Sequence, residues 1–392
     1  MNGKYNRQFT SHSADVALGG SFEHHSSKGK RITQILKTRI LIRLGLPHPT
    51  FAPMENRVPP ESFLAARAER VVLDVRAPGE YAQGHIPGAL SFPLFSDEER
   101  AAVGTMYKQV GKEEAMELGL RIVGPKMEGF VKQAKILAPT RKLAVHCWRG
   151  GQRSGSMAWL FRQSGFEVVT LEGGYKAYRQ HVLHLLDNSA LNLVVLGGRT
   201  GSGKTKILHA LKLLGEQIID LEAIAHHKGS AFGFIGEEPQ PTVEQFENEL
   251  LEAIIPLDAS RRVWVENESR SIGRVYIPDS FWAKMRVSPL VNVSIPDTDR
   301  IQNLLEDYVR TDRSELEAAF QKIASKLGGL NLKTALESLE QGDFSAAARI
   351  ALAYYDKTYQ FGLDSSKASQ IRLLEFLHGD AEKIAQELIQ LR

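Results

Sequence analysis

Cysteine is nearly missing from this chain: Cys147 is the one thiol in 392 residues. A single cysteine excludes a disulfide within the chain, and with it the disulfide-stapled secreted folds. It suits a reducing compartment, and a cytoplasmic location is the expectation. Long hydrophobic runs are missing too. The most apolar stretches, such as LNLVVLGG, fall far short of the ~20 residues that a membrane span needs, so no membrane partner is expected. A large charge of one sign is also lacking. The net charge is +3, which excludes a uniformly basic nucleic-acid binder. What is present is ordinary for a globular protein, with 43% hydrophobic and 24% charged residues. The length exceeds what one core serves, so two domains are expected.

The charge is unevenly placed. Residues 1–53 carry eight Lys/Arg against Asp15 and Glu23, an excess of +6, which leaves −3 for the rest. That stretch is rich in Ser, Gly, Asn and His, and RILIRLGL is its single apolar patch. It lacks the uninterrupted apolar segment of a signal peptide. The expectation is an extension that is disordered or foreign to the natural protein, with translation starting at Met54.

From Met54 onward apolar runs of strand length alternate with helical patterns. RVVLDVR (70–76), KLAVHC (142–147) and EVVTLEGGYKAY (167–178) read as buried strands, the first leading into a functional loop, the second ending at the cysteine and the third followed by a glycine pair and a helix start. Residues 78–94 are dense in Gly and Pro. Residues 113–136 read as helical, broken near Pro125, and SGSMAWLFRQSG (154–165) reads as a helix stopped by Gly165. HVLHLLDNSA (181–190) is expected to bridge to a second series. There LNLVVLGG (191–198), QIIDLE (217–222), RVWVENE (262–268) and LVNVSI (290–295) read as strands. Beyond residue 297 the chain is mostly helical, with RLLEF (372–376) as a last strand. This order predicts an α/β protein: a parallel-sheet domain over 54–185, then a second parallel-sheet domain over 186–392 with a helical C-terminal part.

HCWRGGQRS (146–154) sets the lone cysteine at the junction of a strand and a helix. Backbone N–H groups of such a loop and of the helix start point at one centre and favour an anion there. Arg149 and Arg153 add positive charge, and Gly150 and Gly151 permit the tight curl. Electropositive surroundings favour the thiolate, the reactive form. The plain alternative is a buried, inert cysteine. Two reactive chemistries fit the loop: a cysteine phosphatase, because Cys and Arg are separated by five residues, and a carrier of sulfur or selenium on the cysteine. Trp148 and the lack of an acidic proton donor in the loop favour the carrier. With no second cysteine, Cys147 must exchange its cargo with an outside acceptor or thiol. His146 is expected to be structural, since strand alternation points it away from Cys147. An Arg76–Glu80 pair is expected to fix the neighbouring loop, which also holds His85.

GGRTGSGKT (197–205) has Gly198, four residues, then Gly203, Lys204 and Thr205, between an apolar strand and a helix. Gly198, Arg199, Gly201, Ser202, Gly203, Lys204 and Thr205 are therefore candidate phosphate-binding residues, with Thr205 a candidate magnesium ligand. The aspartate expected after a later strand is replaced by Glu266 and Glu268, while Asp220 and Glu222 follow another strand. Arg270 and Arg274 lie just beyond, with a solvated loop as their plain alternative. A site without the usual aspartate suits binding a diphosphate without hydrolysing a nucleotide.

LDVRAPGEYAQGHIPGALSFPL and LEGGYKAY resemble the rhodanese family. The rhodanese-like part joined to the phosphate loop, with HCWRGGQRSGSMAWL, LEGGYKAYR, LGGRTGSGKT, DLEAIAHHKGSAFG and VWVENESRSIGRVYIP, resembles the bacterial tRNA 2-selenouridine synthases from about Val72 to the end. That resemblance implies a transferase acting on 2-thiouridine at the wobble position of tRNAs for Lys, Glu and Gln. It implies geranylation of the thiocarbonyl sulfur by geranyl diphosphate, then replacement by selenium from selenophosphate. Cys147 would be the selenium carrier. No tightly bound cofactor is expected; the co-substrates are geranyl diphosphate and selenophosphate, with magnesium beside Thr205. The expected partners are the anticodon region of tRNA and an enzyme supplying selenophosphate, and the expected state is a monomer. Phe232, Phe234 and Trp264 are candidates for an apolar groove, with core packing as their alternative. YYDKTYQFG (354–362) is a candidate contributor to tRNA contact. The competing reading is a sulfurtransferase or cysteine phosphatase fused to a nucleotide-binding, kinase-like domain.

Overall fold

The computed structural model describes residues 56–308 and 312–391, which lie in one compact unit. The expected N-terminal extension over 1–53 and the start at Met54 fall outside the described residues.

Two parallel sheets dominate. The first has strands β1 (Arg57–Val58), β2 (Val71–Asp74), β3 (Leu90–Ser91), β4 (Lys142–His146) and β5 (Glu167–Leu171), in the spatial order β1-β5-β4-β2-β3. β2, β4 and β5 are almost wholly buried, which is why their sequences run apolar without alternation. The second sheet has β6 (Asn192–Gly198), β7 (Gln217–Ile219), β8 (Arg262–Glu266), β11 (Leu290–Ser294) and β12 (Ile371–Glu375), in the order β12-β11-β6-β8-β7. A short antiparallel hairpin, β9 (Ser271–Ile272) and β10 (Val275–Tyr276), follows β8. All the pairings within the two five-stranded sheets are parallel. The expected α/β class is what the chain forms.

The segment expected to bridge the two series is instead the second half of one helix, Gly174–Asp187. Tyr175, Tyr178, Val182 and Leu186 lie on its buried face, at helical spacings of three, four and four. The helix crosses the expected boundary at 185. It packs on the helix Val243–Ile254, which the sequence reading passed over, and residues from both sheets share one buried cluster around Tyr175, Tyr178, Phe246 and Leu250. Leu316, Phe320, Ile323 and Leu327 are all buried as expected, although they span two helices, Arg313–Lys322 and Ala324–Leu327. Among the described residues, no helix is long and apolar enough to cross a membrane.

Candidate functional site

β4 delivers Cys147 to the foot of a loop that leads into the helix Gln152–Gln163. The thiol is buried, 3% exposed, whereas Arg149 and Gly151 are exposed. Its Sγ lies 3.2 Å from the Ser154 hydroxyl. Among the described residues, the N–H groups of Arg149, Gly150 and Gly151 have no acceptor, and the following helix has no side-chain cap. Unpaired amides of this kind favour an anion.

The loop is held from behind by LEGGYKAY. Gly173 and Gly174 both have left-handed backbones, which turns the chain so that Tyr175 N–H donates to the Cys147 carbonyl at 2.8 Å and Lys176 N–H to the Trp148 carbonyl at 3.0 Å. A side chain on Gly150 would strike the Leu171 carbonyl at 2.6 Å. Two backbones touch here, and only glycine lets them.

The expected Arg76–Glu80 pair does not form. Arg76 is 1% exposed and bonds Asp74 at 2.6 Å and the Gly84 carbonyl at 2.6 Å, with its guanidinium over the Tyr175 ring. Two residues apart at a strand end, Asp74 reaches Arg76 before Glu80 does. Burial alone would raise the Asp74 carboxyl, but its interaction with the neighbouring His146 ring and the bonds and charge of Arg76 hold it below its usual value. Glu80 instead takes Arg153, at 2.5 and 3.1 Å, and accepts from Ala77 N–H. Burial disfavours the Arg153 charge, yet the bonds and charge of Glu80, with Cys147 adding to them, leave its pKa raised. Arg153 is thus an anchored cation, and Arg149 the exposed one. His146 is fully buried and structural in its surroundings: burial pushes its pKa down to about 4, and it lies between Phe63 and Tyr175.

The phosphate loop connects β6 to the helix Lys204–Leu213. Gly201 and Gly203 have left-handed backbones. The amides of Gly201, Gly203, Lys204 and Thr205 have no backbone acceptor outside the helix among the described residues, while Ser202 N–H closes the turn on the Arg199 carbonyl. They face a cavity of about 450 Å³ lined by Gly198, Gly201, Gly203, Lys204 and Thr205 among others. Ser202 is not on that lining; it is buried against Gly198. Arg199 turns toward Asp356, 3.9 Å away. The loop is braced from the C-terminal helices: Arg300, 2% exposed, donates to the Thr200 carbonyl at 3.0 Å and pairs with Asp356 and Asp297, and Asn303 donates to the Gly201 carbonyl at 2.9 Å.

The acidic candidates divide. Asp220 and Glu222 line the cavity with Glu268, although β7 is not the neighbour of β6, since β8 lies between them. Glu222 reaches the loop from the short helix Leu221–Ala225 and accepts from the Thr205 hydroxyl at 2.9 Å. Glu266 sits beneath, fully buried, accepting from Glu222 N–H. Burial first, then the neighbouring carboxylates, raise Glu266 well above its ordinary value and Glu268 to about 8. Arg270 does not join the cavity: it is exposed and paired with Asp279 at 2.6 Å. Arg274 is exposed as well.

The structure also brings in residues the sequence did not mark. Lys228, Asn267, Asn303 and Asp307 line the cavity. So do Tyr355 and Tyr359, which places two residues of YYDKTYQFG on the phosphate site; their four-residue spacing around Asp356 was the available signal. Of the apolar candidates, Trp264 is in the core with its indole N–H on Glu216. Phe234 lies under Lys322, and Phe232 lines an apolar pocket next to the cavity.

A magnesium ion fits the oxygen donors present. Magnesium is held by one or two carboxylates with substrate phosphates completing the set, and the Thr205 hydroxyl and Glu222 carboxylate meet at the cavity wall. No cluster of three or more His, Cys, Asp or Glu arranged for a metal exists among the described residues, so a protein-only cage is not what the site offers.

The sequence matches the rhodanese-like domain family over residues 60–181 and the family described as tRNA 2-selenouridine synthase AAA domain over residues 191–391. The tRNA 2-selenouridine synthase of Bdellovibrio bacteriovorus is 34% identical over 368 residues, covering 81% of this chain and 94% of that protein. The enzyme of the same name from Shewanella denitrificans is 34% identical over 345 residues, 78% of this chain and 90% of the relative. That from Nitrosomonas europaea is 40% identical over 255 residues, 62% and 65% respectively.

Proposed function

Since the chain belongs to the tRNA 2-selenouridine synthase family, we propose that it is a tRNA-modifying transferase that replaces the sulfur of wobble 2-thiouridine with selenium. The observation that carries this reading is the pairing, in one compact unit, of a cysteine loop with open amides and a phosphate loop whose neighbouring strand β8 ends in Glu266 where a hydrolytic aspartate is expected.

The chemistry has two parts. A thiocarbonyl sulfur leaves poorly, so it is first alkylated: the sulfur attacks C1 of geranyl diphosphate, the C–O bond breaks, and diphosphate departs. The amides of Gly201, Gly203, Lys204 and Thr205, with the Lys204 ammonium, stabilise the charge developing on the departing group. Lys204 now rests on the Gly198 carbonyl at 3.2 Å and would turn to the ligand. Thr205 and Glu222 would hold magnesium, which when bound neutralises diphosphate charge. Selenophosphate held in the Cys147 loop then attacks C2 through its selenium, and geranylthiol leaves. The Cys147 thiolate takes the phosphoryl group from the C2-bound selenium, breaking the Se–P bond, and water releases phosphate from the cysteine. Arg149 and the loop amides favour the anionic selenium. The substrates are the anticodon region of tRNA, geranyl diphosphate and selenophosphate, the last delivered by its producing enzyme.

The test is mass spectrometry of nucleosides from 2-thiouridine RNA treated with the full chain, geranyl diphosphate and selenophosphate. Lys204→Ala is expected to lower formation of the geranylated nucleoside, and Cys147→Ser to leave it unconverted. RNA unmodified by the unaltered chain would refute the reading. Release of phosphate from an aryl phosphate, lost in Cys147→Ser, would support the phosphatase alternative instead.

A further inference from the structure

The phosphate-loop cavity borders a second chamber. An apolar pocket of about 70 Å³ shares Thr200, Ser230, Leu304, Tyr308 and Tyr355 with the walls of the larger cavity. Past those shared residues it is closed by the C-terminal helical layer. Phe320, Leu339 and Ala351 are among its walls, and none of the three is more than 7% exposed. Interiors normally pack without such gaps, yet this one adjoins a polar cavity. Its lining gives almost nothing to the ring nitrogens of a base or the hydroxyls of a sugar, while it suits hydrocarbon.

We propose that this chamber receives the far end of the prenyl chain whose diphosphate sits on the phosphate loop, and that its depth sets which chain length the enzyme takes. The proposal rests on the prenyl-transfer reading above and adds the specificity residues, with Phe320 and Leu339 in the chamber's wall. Volume decides the length. An apolar cavity of about 150 Å³ holds benzene, so about half that space admits roughly three carbons, the branched tip of a terminal isoprene unit. The first unit of a geranyl chain then lies in the larger cavity beside the reacting carbon, and the tip of the second fills the chamber. A farnesyl chain has a third unit that meets Phe320 and Leu339. Neither Phe234 nor Trp264 takes part.

Calorimetric titration of the full chain with inorganic diphosphate, geranyl diphosphate and farnesyl diphosphate tests this. Geranyl diphosphate is expected to bind roughly 60-fold more tightly than inorganic diphosphate, from about three buried carbons, and farnesyl diphosphate more weakly than geranyl. Ala351→Phe fills the chamber and should abolish the gain while keeping inorganic diphosphate binding, which also reports a folded phosphate loop. Leu339→Ala deepens the chamber and should shift preference toward farnesyl; it decides the matter if Ala351→Phe fails to fold. Equal affinity for inorganic and geranyl diphosphates, an Ala351→Phe protein that keeps the full gain, or unchanged chain preference in Leu339→Ala would overturn the proposal. Transfer to RNA is scored separately. Tail-dependent binding with no geranylated RNA supports the chamber and overturns the prenyl-transfer reading.

Discussion

Gly174→Ala is expected to separate the two chemical steps. Gly174 has φ +63°, a left-handed backbone in which a non-glycine residue costs roughly 1–2 kcal/mol. Strain is the smaller part. A Cβ there would press on Gly150 N and the Cys147 carbonyl and lie 2.7 Å from Arg149 N, where ordinary contact begins at 3.4 Å. These are backbone atoms, so no rotamer change relieves the clash, and the cysteine loop must move. A displacement of about 1 Å at a reacting group costs on the order of 100-fold in rate. Gly165→Ala is the control, because Gly165 has φ +85° with nothing within 4 Å of its would-be Cβ. It carries the strain without the clash. The assay supplies RNA already bearing S-geranyl-2-thiouridine, adds selenophosphate, and follows 2-selenouridine by mass spectrometry. Geranylation of 2-thiouridine RNA is measured in parallel. Gly174→Ala should lose selenation about 100-fold relative to Gly165→Ala, and the two should geranylate alike. Equal selenation rates would refute the claim that the Gly173–Gly174 turn positions Cys147.

Glu268 should make stability fall with rising pH. Its folded pKa is raised from 4.5 to about 8, so through that window the folded state keeps a proton the unfolded chain has released, and unfolding becomes easier as pH rises. Glu268→Gln is expected to flatten the decline and to be more stable than the parent at pH 8 by roughly 1–3 kcal/mol; parallel urea-denaturation profiles from pH 5 to 8 would count against this. Asn248 is fully buried and donates to both the Tyr175 hydroxyl and the His85 carbonyl at 2.9 Å. Asn248→Ala should cost about 2 kcal/mol or more in denaturant midpoint analysis, since it leaves buried polar groups unpaired, and an unchanged midpoint would show that these bonds contribute nothing net. Arg300→Leu removes a buried guanidinium from the partly exposed Asp356, expected to cost about 1–3 kcal/mol. It also frees the Thr200 carbonyl, so titration should show weaker inorganic diphosphate binding; Arg300→Lys, lacking the planar fork, should restore only part of it.

Much of the fold was legible because buried parallel strands leave an unmistakable mark. VVLD, KLAVH and EVVTL carry consecutive apolar residues with no alternation, and glycine-rich loops follow two of the strands that carry function. The helix Val243–Ile254 was harder to see. Thr242, Gln245 and Asn248 in and before it serve the neighbouring sheet rather than solvent: Thr242 donates to the Gln83 carbonyl, and Gln245 accepts from His85 N–H. Polar residues that bond across an interface look like surface residues in a one-dimensional pattern. In the helix Gly174–Asp187 the start after the glycine pair was legible, and only its second half was read as a bridge, since it ends near Asn and Ser.

The sequence by itself determined the identity of the two reactive loops. Each needs glycine for a left-handed turn and a helix start for open amides, and both requirements are local and therefore written in contiguous residues. Only the tertiary structure decided which charges serve them. Arg153 was free to choose between the thiol and Glu80, Arg76 between Glu80 and Asp74, and Arg270 between the phosphate cavity and Asp279. The C-terminal helices, distant in sequence, supply Arg300, Asn303, Tyr355 and the floor of the apolar chamber. A long side chain pairs with whatever carboxylate the packing brings within reach, and that distance is set by chain segments far apart in order.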